Sequence, residues 1–291
     1  MAAKSSESEK KVGLTYWSKD KLSCPVCNKP FAHEIMRSGN GRMIAGSLTP
    51  ELHRNFEPSA KYGTIYPLIY EVGACPHCNT AFFWNDFHAK ISQADKDKLA
   101  AGADRRMQMC EKIFPHYNLQ KERTLFDGCA MYYLALLSYN DVSPEMIPTL
   151  KMAIISLRLA WLTDDLHKCC EDHNYDLISK MFYSKALFFY QQAVLNETER
   201  KEKSSTLANM GPDIDKNYGW DGVIYLCGLL EYNYGQQDDL QLRLKKLNES
   251  KISIARIFGL GKSSKSKPGP LLTNARELYE KITKLLKDDE F

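Results

Sequence analysis

No stretch of about eighteen consecutive apolar residues occurs in the 291-residue chain, so the sequence offers no membrane-spanning helix. Residues 1–13, rich in Ser, Lys and Glu, contain no apolar run of the kind a secretory leader needs, and the expected location is the cytosol. An excess of one charge is missing too: 39 Lys and Arg against 36 Asp and Glu leave +3, which by itself names no partner. Signatures of catalysis are equally scarce. No Ser or Cys nucleophile stands in a recognisable setting, and the adjacent carboxylates Asp164 and Asp165, like Glu171 and Asp172, diverge on a helix. Gly259-Leu260-Gly261-Lys262-Ser263-Ser264 fails as a phosphate loop because Arg256 occupies the position that needs glycine. Residues 259–270 read instead as a flexible loop, and the chain is expected not to be an enzyme.

What is present is cysteine in a matched arrangement. Cys24-Pro25-Val26-Cys27 and Cys75-Pro76-His77-Cys78 repeat one pattern, and each is followed by asparagine, at Asn28 and Asn79. Thiol pairs at that spacing wrap two sulfurs around a tetrahedral ion, and four sulfurs close a structural zinc site with no open position for water. Proline stiffens each loop. Asparagine is the side chain that, after glycine, best tolerates the positive φ such a turn demands. One structural Zn2+ held by Cys24, Cys27, Cys75 and Cys78 is therefore expected, ahead of redox chemistry, which needs a pair at the start of a helix in a strand–helix–strand unit. Disulfides rank last. His33, His53, His77 and His88 lie in or beside the same region and read as surface or half-packed residues, with His33 or His88 the substitute should one sulfur prove too distant. The other five cysteines, at 110, 129, 169, 170 and 227, read as small buried apolar residues.

The expected fold class is mostly α: a small zinc-ribbon-like β module followed by an all-α, degenerate tetratricopeptide-like domain. Composition makes residues 1–20 a disordered tail, residues 21–90 the zinc module and residues 91–291 the helical domain. Within the module, Ser38-Gly39-Asn40-Gly41 signals a turn between residues 31–36 and 42–48, which are expected to pair as a hairpin. Residues 62–72, aromatic and β-branched, read as a strand that Pro67 demotes to an edge or bend. The aromatic run 81–87 reads as a strand covering a small core, with a base-stacking platform as the alternative.

Beyond residue 90, residues 92–114 read as helix stopped at Pro115, and residues 125–139 as a buried helix. Ala153, Leu157 and Ala160 form a small–large–small stripe that recurs 33 residues later at Ala186, Tyr190 and Ala193. Leu240, Leu244 and Leu247 recur 35 residues later as Ala275, Tyr279 and Ile282, and these offsets bracket the 34-residue tetratricopeptide period. Gly228 and Gly235, seven apart, match the close-contact and turn glycines of that repeat. His167, Cys170 and His173 fall at i+3 steps and raise the question of a second metal; a polar corner between helices is the reading adopted.

A Cys-Pro-x-Cys pair at each end of a module of roughly fifty residues, then helices containing Ser156-Leu157-Arg158-Leu159-Ala160-Trp161-Leu162 and Tyr225-Leu226-Cys227-Gly228-Leu229-Leu230, resembles a bacterial family catalogued only as a domain of unknown function, over most of residues 22–235. Family members usually carry glycine after each second cysteine, where this chain has Asn28 and Asn79. The resemblance implies the architecture and a bacterial cytosolic setting, and brings no activity with it.

Two functions compete. The first is a non-enzymatic adaptor or scaffold that binds a partner protein or peptide through the helical domain. The alternative is nucleic-acid binding, with the zinc module as reader and residues 241–267 as a phosphate clamp; residues 241–270 hold eight basic side chains and one acidic. On residues 240–247 the leucines face inward and the cations outward, so a solvated face is the simpler account of that charge.

Overall fold

The computed structural model describes residues 13–258 and 267–288. It is mostly α, with short two-stranded sheets in the front portion and eight helices behind them among the described residues. Strands β2 (Leu22–Ser23) and β3 (Pro30–Phe31) pair around the first Cys-Pro-x-Cys turn. Strands β7 (Val72–Ala74) and β8 (Ala81–Phe83) pair around the second.

The intervening chain departs from the expected hairpin. The turn at residues 38–41 is real, with Gly39, Asn40 and Gly41 all at positive φ, but its flanks find other partners. Strand β4 (Glu34–Met36) pairs antiparallel with β1 (Thr15–Trp17), and β5 (Ile44–Leu48) pairs with β6 (Arg54–Glu57). Thr15–Trp17, assigned by composition to the tail, is thus a strand; residues 1–12 lie outside the described residues. Nor is the stretch 62–72 a strand before Val72. Pro67 opens a single 3-10 turn, Pro67–Tyr70, whose four residues are all buried. The aromatic run is a strand only as far as Phe83 and continues as a 3-10 turn, Trp84–His88. Phe31, Phe82 and Phe87 meet edge-on there, with centroids 5.6 and 5.8 Å apart.

The expected helix over 92–114 is two: α1 (Gln93–Ala101), capped by Ser92, and α2 (Ala103–Ile113). Helix α3 (Leu125–Tyr139) starts at a capping box, in which the Thr124 side chain accepts from Asp127 N and the Asp127 carboxylate accepts from Thr124 N. Pro148 sits at the first position of α4 (Pro148–Cys169), where its missing N–H costs nothing. Helix α4 is buried along its whole length from Pro148 to Thr163, packed between α3 and α5. After it come α5 (Tyr175–Thr198), α6 (Gly219–Tyr234), α7 (Leu240–Phe258) and α8 (Gly269–Asp288).

From α3 onward each helix packs on the next in sequence, and α8 also reaches back to α6. The five-residue links α4–α5 and α6–α7 make those neighbours antiparallel. Gly228 serves close approach as expected: a Cβ there would lie 2.6 Å from Ile254 Cδ1 of α7. The two stripe offsets have a different origin from a repeat period. Ala153, Leu157 and Ala160 lie on α4 and Ala186, Tyr190 and Ala193 on α5, so the 33-residue offset joins two helices that pack on one another. The 35-residue offset likewise joins α7 to its neighbour α8. One contiguous apolar core runs from Cys24 in the front portion to Ile282 in α8.

Candidate metal centre

The two knuckles have the same backbone. Cys24 N donates to Lys29 O (3.1 Å) and Asn28 N to Cys24 O (2.9 Å); Cys75 N donates to Thr80 O (2.8 Å) and Asn79 N to Cys75 O (2.9 Å). Asn28 and Asn79 take φ of 58° and 54°, the left-handed region in which asparagine costs least among side chains with a Cβ.

The β2–β3 and β7–β8 hairpins bring all four sulfurs within 4.8 Å of one another. Cys24 Sγ is 3.6 Å from Cys78 Sγ, and Cys27 Sγ 3.7 Å from Cys75 Sγ. Both distances are far beyond a disulfide bond of about 2.05 Å. They match the edge of about 3.8 Å that a tetrahedron of sulfurs has when each lies about 2.3 Å from a central ion. The chemistry of the donor set points the same way. Hydrogen bonding from Cys24 and then Cys75 holds the Cys78 thiol well below its usual range, while hydrogen bonding to Cys24 and Cys78 and burial push Cys75 well above it. Four thiols this close, three of them buried, share few negative charges unless a cation sits among them. The cluster can therefore bind a metal ion, using all four residues the sequence nominated.

The cysteines need no histidine substitute. His33 packs on Trp84 (4.9 Å between centroids), and His77 and His88 are exposed. Among the described residues the four cysteines are the one group of cysteine, histidine and carboxylate ligands so gathered; His167, Cys170 and His173 form no second cluster. Cys170 and His173 are exposed at the end of α4, as a polar corner requires. Asp164 and Asp165 share Lys168, at 3.0 and 2.8 Å. Cys110 and Cys129 are buried, as expected of small apolar residues, but Cys169 and Cys170 are exposed because α4 ends beside them.

A residue that the sequence did not nominate holds the second knuckle from beneath. Arg106 of α2 is fully buried, and its Nη2 donates to Leu99 O (2.6 Å), Cys78 O (3.0 Å) and Thr80 Oγ1 (3.2 Å) while Nε donates to Asn79 O (3.3 Å). Its Nη1 lies 3.7 Å from the Asp141 carboxylate. Four thiolates around a divalent ion carry a net charge of −2, and the buried guanidinium offsets half of it. Gly102, between α1 and α2, makes room for it: a Cβ there would come within 2.9 Å of Arg106 Nη1. The only sequence signal was the i, i+4 step from Arg106 to buried Cys110, which places the arginine on the inward face.

Other ties join the front portion to the helices. The outer edge of β8 is covered by α3: Ala81 N donates to Ser138 Oγ (3.0 Å) and Phe83 N to Tyr139 Oη (3.1 Å). Arg123, just ahead of α3, donates to Ile69 O and Val72 O (2.6 and 2.7 Å). His53 stacks on Trp161 (4.2 Å) and meets the Asp213 carboxylate at 2.5 Å through Nδ1.

The family described as "Uncharacterized protein conserved in bacteria (DUF2225)" matches residues 17–282, and the chain belongs to it. An "Uncharacterized protein" of Borreliella burgdorferi is 40% identical over 275 residues, covering 94% of this chain and 98% of that protein. No solved structure matches. No helix among the described residues is long and apolar enough to cross a membrane.

Proposed function

We propose that this family member is a zinc-stabilised, non-catalytic scaffold of the bacterial cytosol that docks a partner protein or peptide on its array of sequentially packed helices. The observation that carries the reading is the outer face of α5. Leu177, Met181, Phe188 and Leu195 are 58, 37, 57 and 46% exposed, at steps of four, seven and seven residues. At 100° per residue they fall within about 40° of one another, opposite the buried line Ser179, Phe182, Ala186, Tyr190 and Ala193. A helix apolar on two opposite faces presents one of them for a partner, and an amphipathic helix with anchors at i, i+4 and i+7 is the complementary chemistry. Sequential packing of α3 to α8, with α8 returning to α6, supports the array.

Zinc is the ion proposed because four thiolates with a tetrahedral edge of this size form a closed structural site. The basic segment gives less support to nucleic acid. Lys267 is committed to Ile257 O (2.9 Å) and Asp221 (2.8 Å), and Lys262 and Lys265, with the loop that carries them, lie outside the described residues.

Capture from bacterial lysate tests the reading. The native chain is expected to retain a specific protein that the Phe188→Asp variant loses, at several salt concentrations. Retention that ignores the variant, or no retention at any salt, overturns it.

A further inference from the structure

A cavity of about 290 Å³ lies where the front portion, α4 and the α5–α6 connection meet, away from the four cysteines and from the outer face of α5. Glu71, Phe83 and Trp84 line it from the front, Lys151, Ile154 and Arg158 from α4, and Ala208 stands exposed at its rim. Its charges are unevenly committed. Lys151 pairs with Asp86 at 2.7 Å, and Asp86 also accepts from the Tyr139 hydroxyl. Arg158 is 3% exposed; its Nε donates to Pro212 O (2.7 Å) and its Nη1 to Tyr132 Oη (3.2 Å). Its guanidinium lies over the Phe83 ring, 5.4 Å from the centroid, and its Nη2 is in no hydrogen bond among the described residues. Glu71 stands in the same cavity, half-buried, its carboxylate in no hydrogen bond or ion pair among the described residues.

A buried guanidinium and a half-buried carboxylate line one cavity without a direct contact, and each is only partly answered, Arg158 by two hydrogen bonds and Glu71 by the charge of Arg158 nearby. Desolvation of that kind is costly unless each meets a partner. We infer that the cavity binds a small zwitterion of the apolar α-amino-acid type, its carboxylate on Arg158 Nη2, its ammonium on Glu71, and its side chain against Phe83, Trp84 and Ile154. Burial pushes the Glu71 carboxyl above its ordinary range, partly offset by Arg158, and a ligand ammonium would relieve that penalty. The cavity is at the lower end of the size range of small-molecule sites, and half of the residues in its wall are polar, as a charged small ligand would require.

The probes are L-phenylalanine, L-leucine, L-methionine and L-valine, with phenethylamine and 3-phenylpropionate as half-ligands, titrated calorimetrically into the folded full-length chain. At least one amino acid is expected to bind, and L-phenylalanine roughly tenfold or more tighter than either half-ligand, since each lost charge-assisted hydrogen bond costs about 1.5–3 kcal/mol. Glu71→Gln, nearly isosteric, is expected to erase the preference for the zwitterion over the carboxylate half-ligand. Ala208→Trp, a change at an exposed rim position, is expected to weaken all probes together. Circular dichroism verifies that each variant is folded. No binding by any amino acid, equal binding of 3-phenylpropionate, or an unchanged preference in Glu71→Gln would each overturn the inference.

Discussion

The knuckle at Cys24–Cys27 and the knuckle at Cys75–Cys78 share their residue pattern, their turn backbone and a hairpin on either side, yet only the second is tied into the helices by its own main chain. Around the first, Cys27 is half-buried, Asn28 is exposed, and the main-chain hydrogen bonds of the turn stay within it. Around the second, Arg106 takes the carbonyls of Cys78 and Asn79, Tyr117 donates to the Asn79 side chain, and α3 covers β8. Identical local chemistry therefore leaves two halves of one site with unequal support. The first half depends on the ion and on the packing of Leu22, Cys24, Val26 and Phe31, whereas the second adds hydrogen bonds with the helices that hold whether or not an ion is bound.

The largest expected effect breaks that pairing by removing the metal. Metal mass spectrometry of the purified chain is expected to find one zinc per chain, and a strong chelator to remove it together with the folding free energy it contributes, of order 10 kcal/mol in small zinc modules. Hydrogen–deuterium exchange should then rise first at residues 22–31, by roughly tenfold or more over residues 72–83, because the latter keep their hydrogen bonds to Arg106, Ser138 and Tyr139. Equal loosening of the two hairpins would mean that the helices do not support the second knuckle.

Arg106 sharpens the same contrast from the other side. Arg106→Met leaves the carbonyls of Leu99, Cys78 and Asn79 unanswered and removes the countercharge, and is expected to cost about 3–5 kcal/mol in urea denaturation of the metal-loaded chain. Arg106→Lys keeps the charge but cannot span the same acceptors, so it should recover only part of the loss. A cost below about 1 kcal/mol for Arg106→Met would show that the guanidinium is a passenger.

How far these features could be read from the sequence depends on how local their cause is. Four cysteines at fixed spacing declare their purpose because chelation imposes the spacing. Helix α3 was legible from end to end because the apolar run over residues 125–139 marks it and its cap, Thr124, lies just outside. The hairpin expected across Ser38–Gly41 failed for the opposite reason: the turn is local, but β4 and β5 take partners at Thr15–Trp17 and Arg54–Glu57, beyond the window in which a turn signal speaks. Residues 62–72 have strand composition, yet Pro67 starts a 3-10 turn, and burial between α3 and β4 suits aromatic side chains in either conformation. The stripes on α4 and α5 are buried, yet their offset is no repeat period, since facing helices of one hairpin need the same small–large–small complementarity as successive repeats do. The outer face of α5 escaped notice because a helix apolar on both sides reads, without coordinates, as a buried one. Arg106 was the hardest of all. A charged residue on the inward side of a short polar helix acquires meaning only when the knuckle carbonyls are seen beside it.

The smallest expected effect separates the two asparagines, which the sequence presents as equivalents. Both occupy the left-handed region, so glycine at either position relieves a similar backbone cost while freeing the unfolded chain by a similar amount. Asn28→Gly loses nothing further, because its side chain is exposed and makes no hydrogen bond among the described residues, and should lie within about 0.5 kcal/mol of the native chain. Asn79→Gly also deletes the acceptor for the Tyr117 hydroxyl, at 3.1 Å, and should cost about 1 kcal/mol more than Asn28→Gly. Tyr117→Phe supplies the second corner of a double-mutant cycle: if the bond is the cause, Asn79→Gly should add little in a Tyr117→Phe background. Asparagine at 28 would then serve the turn alone, and asparagine at 79 both the turn and its tie to Tyr117 in the α2–α3 connection. Equal costs for the two glycine variants would return the knuckles to equivalence and place the whole difference in Arg106.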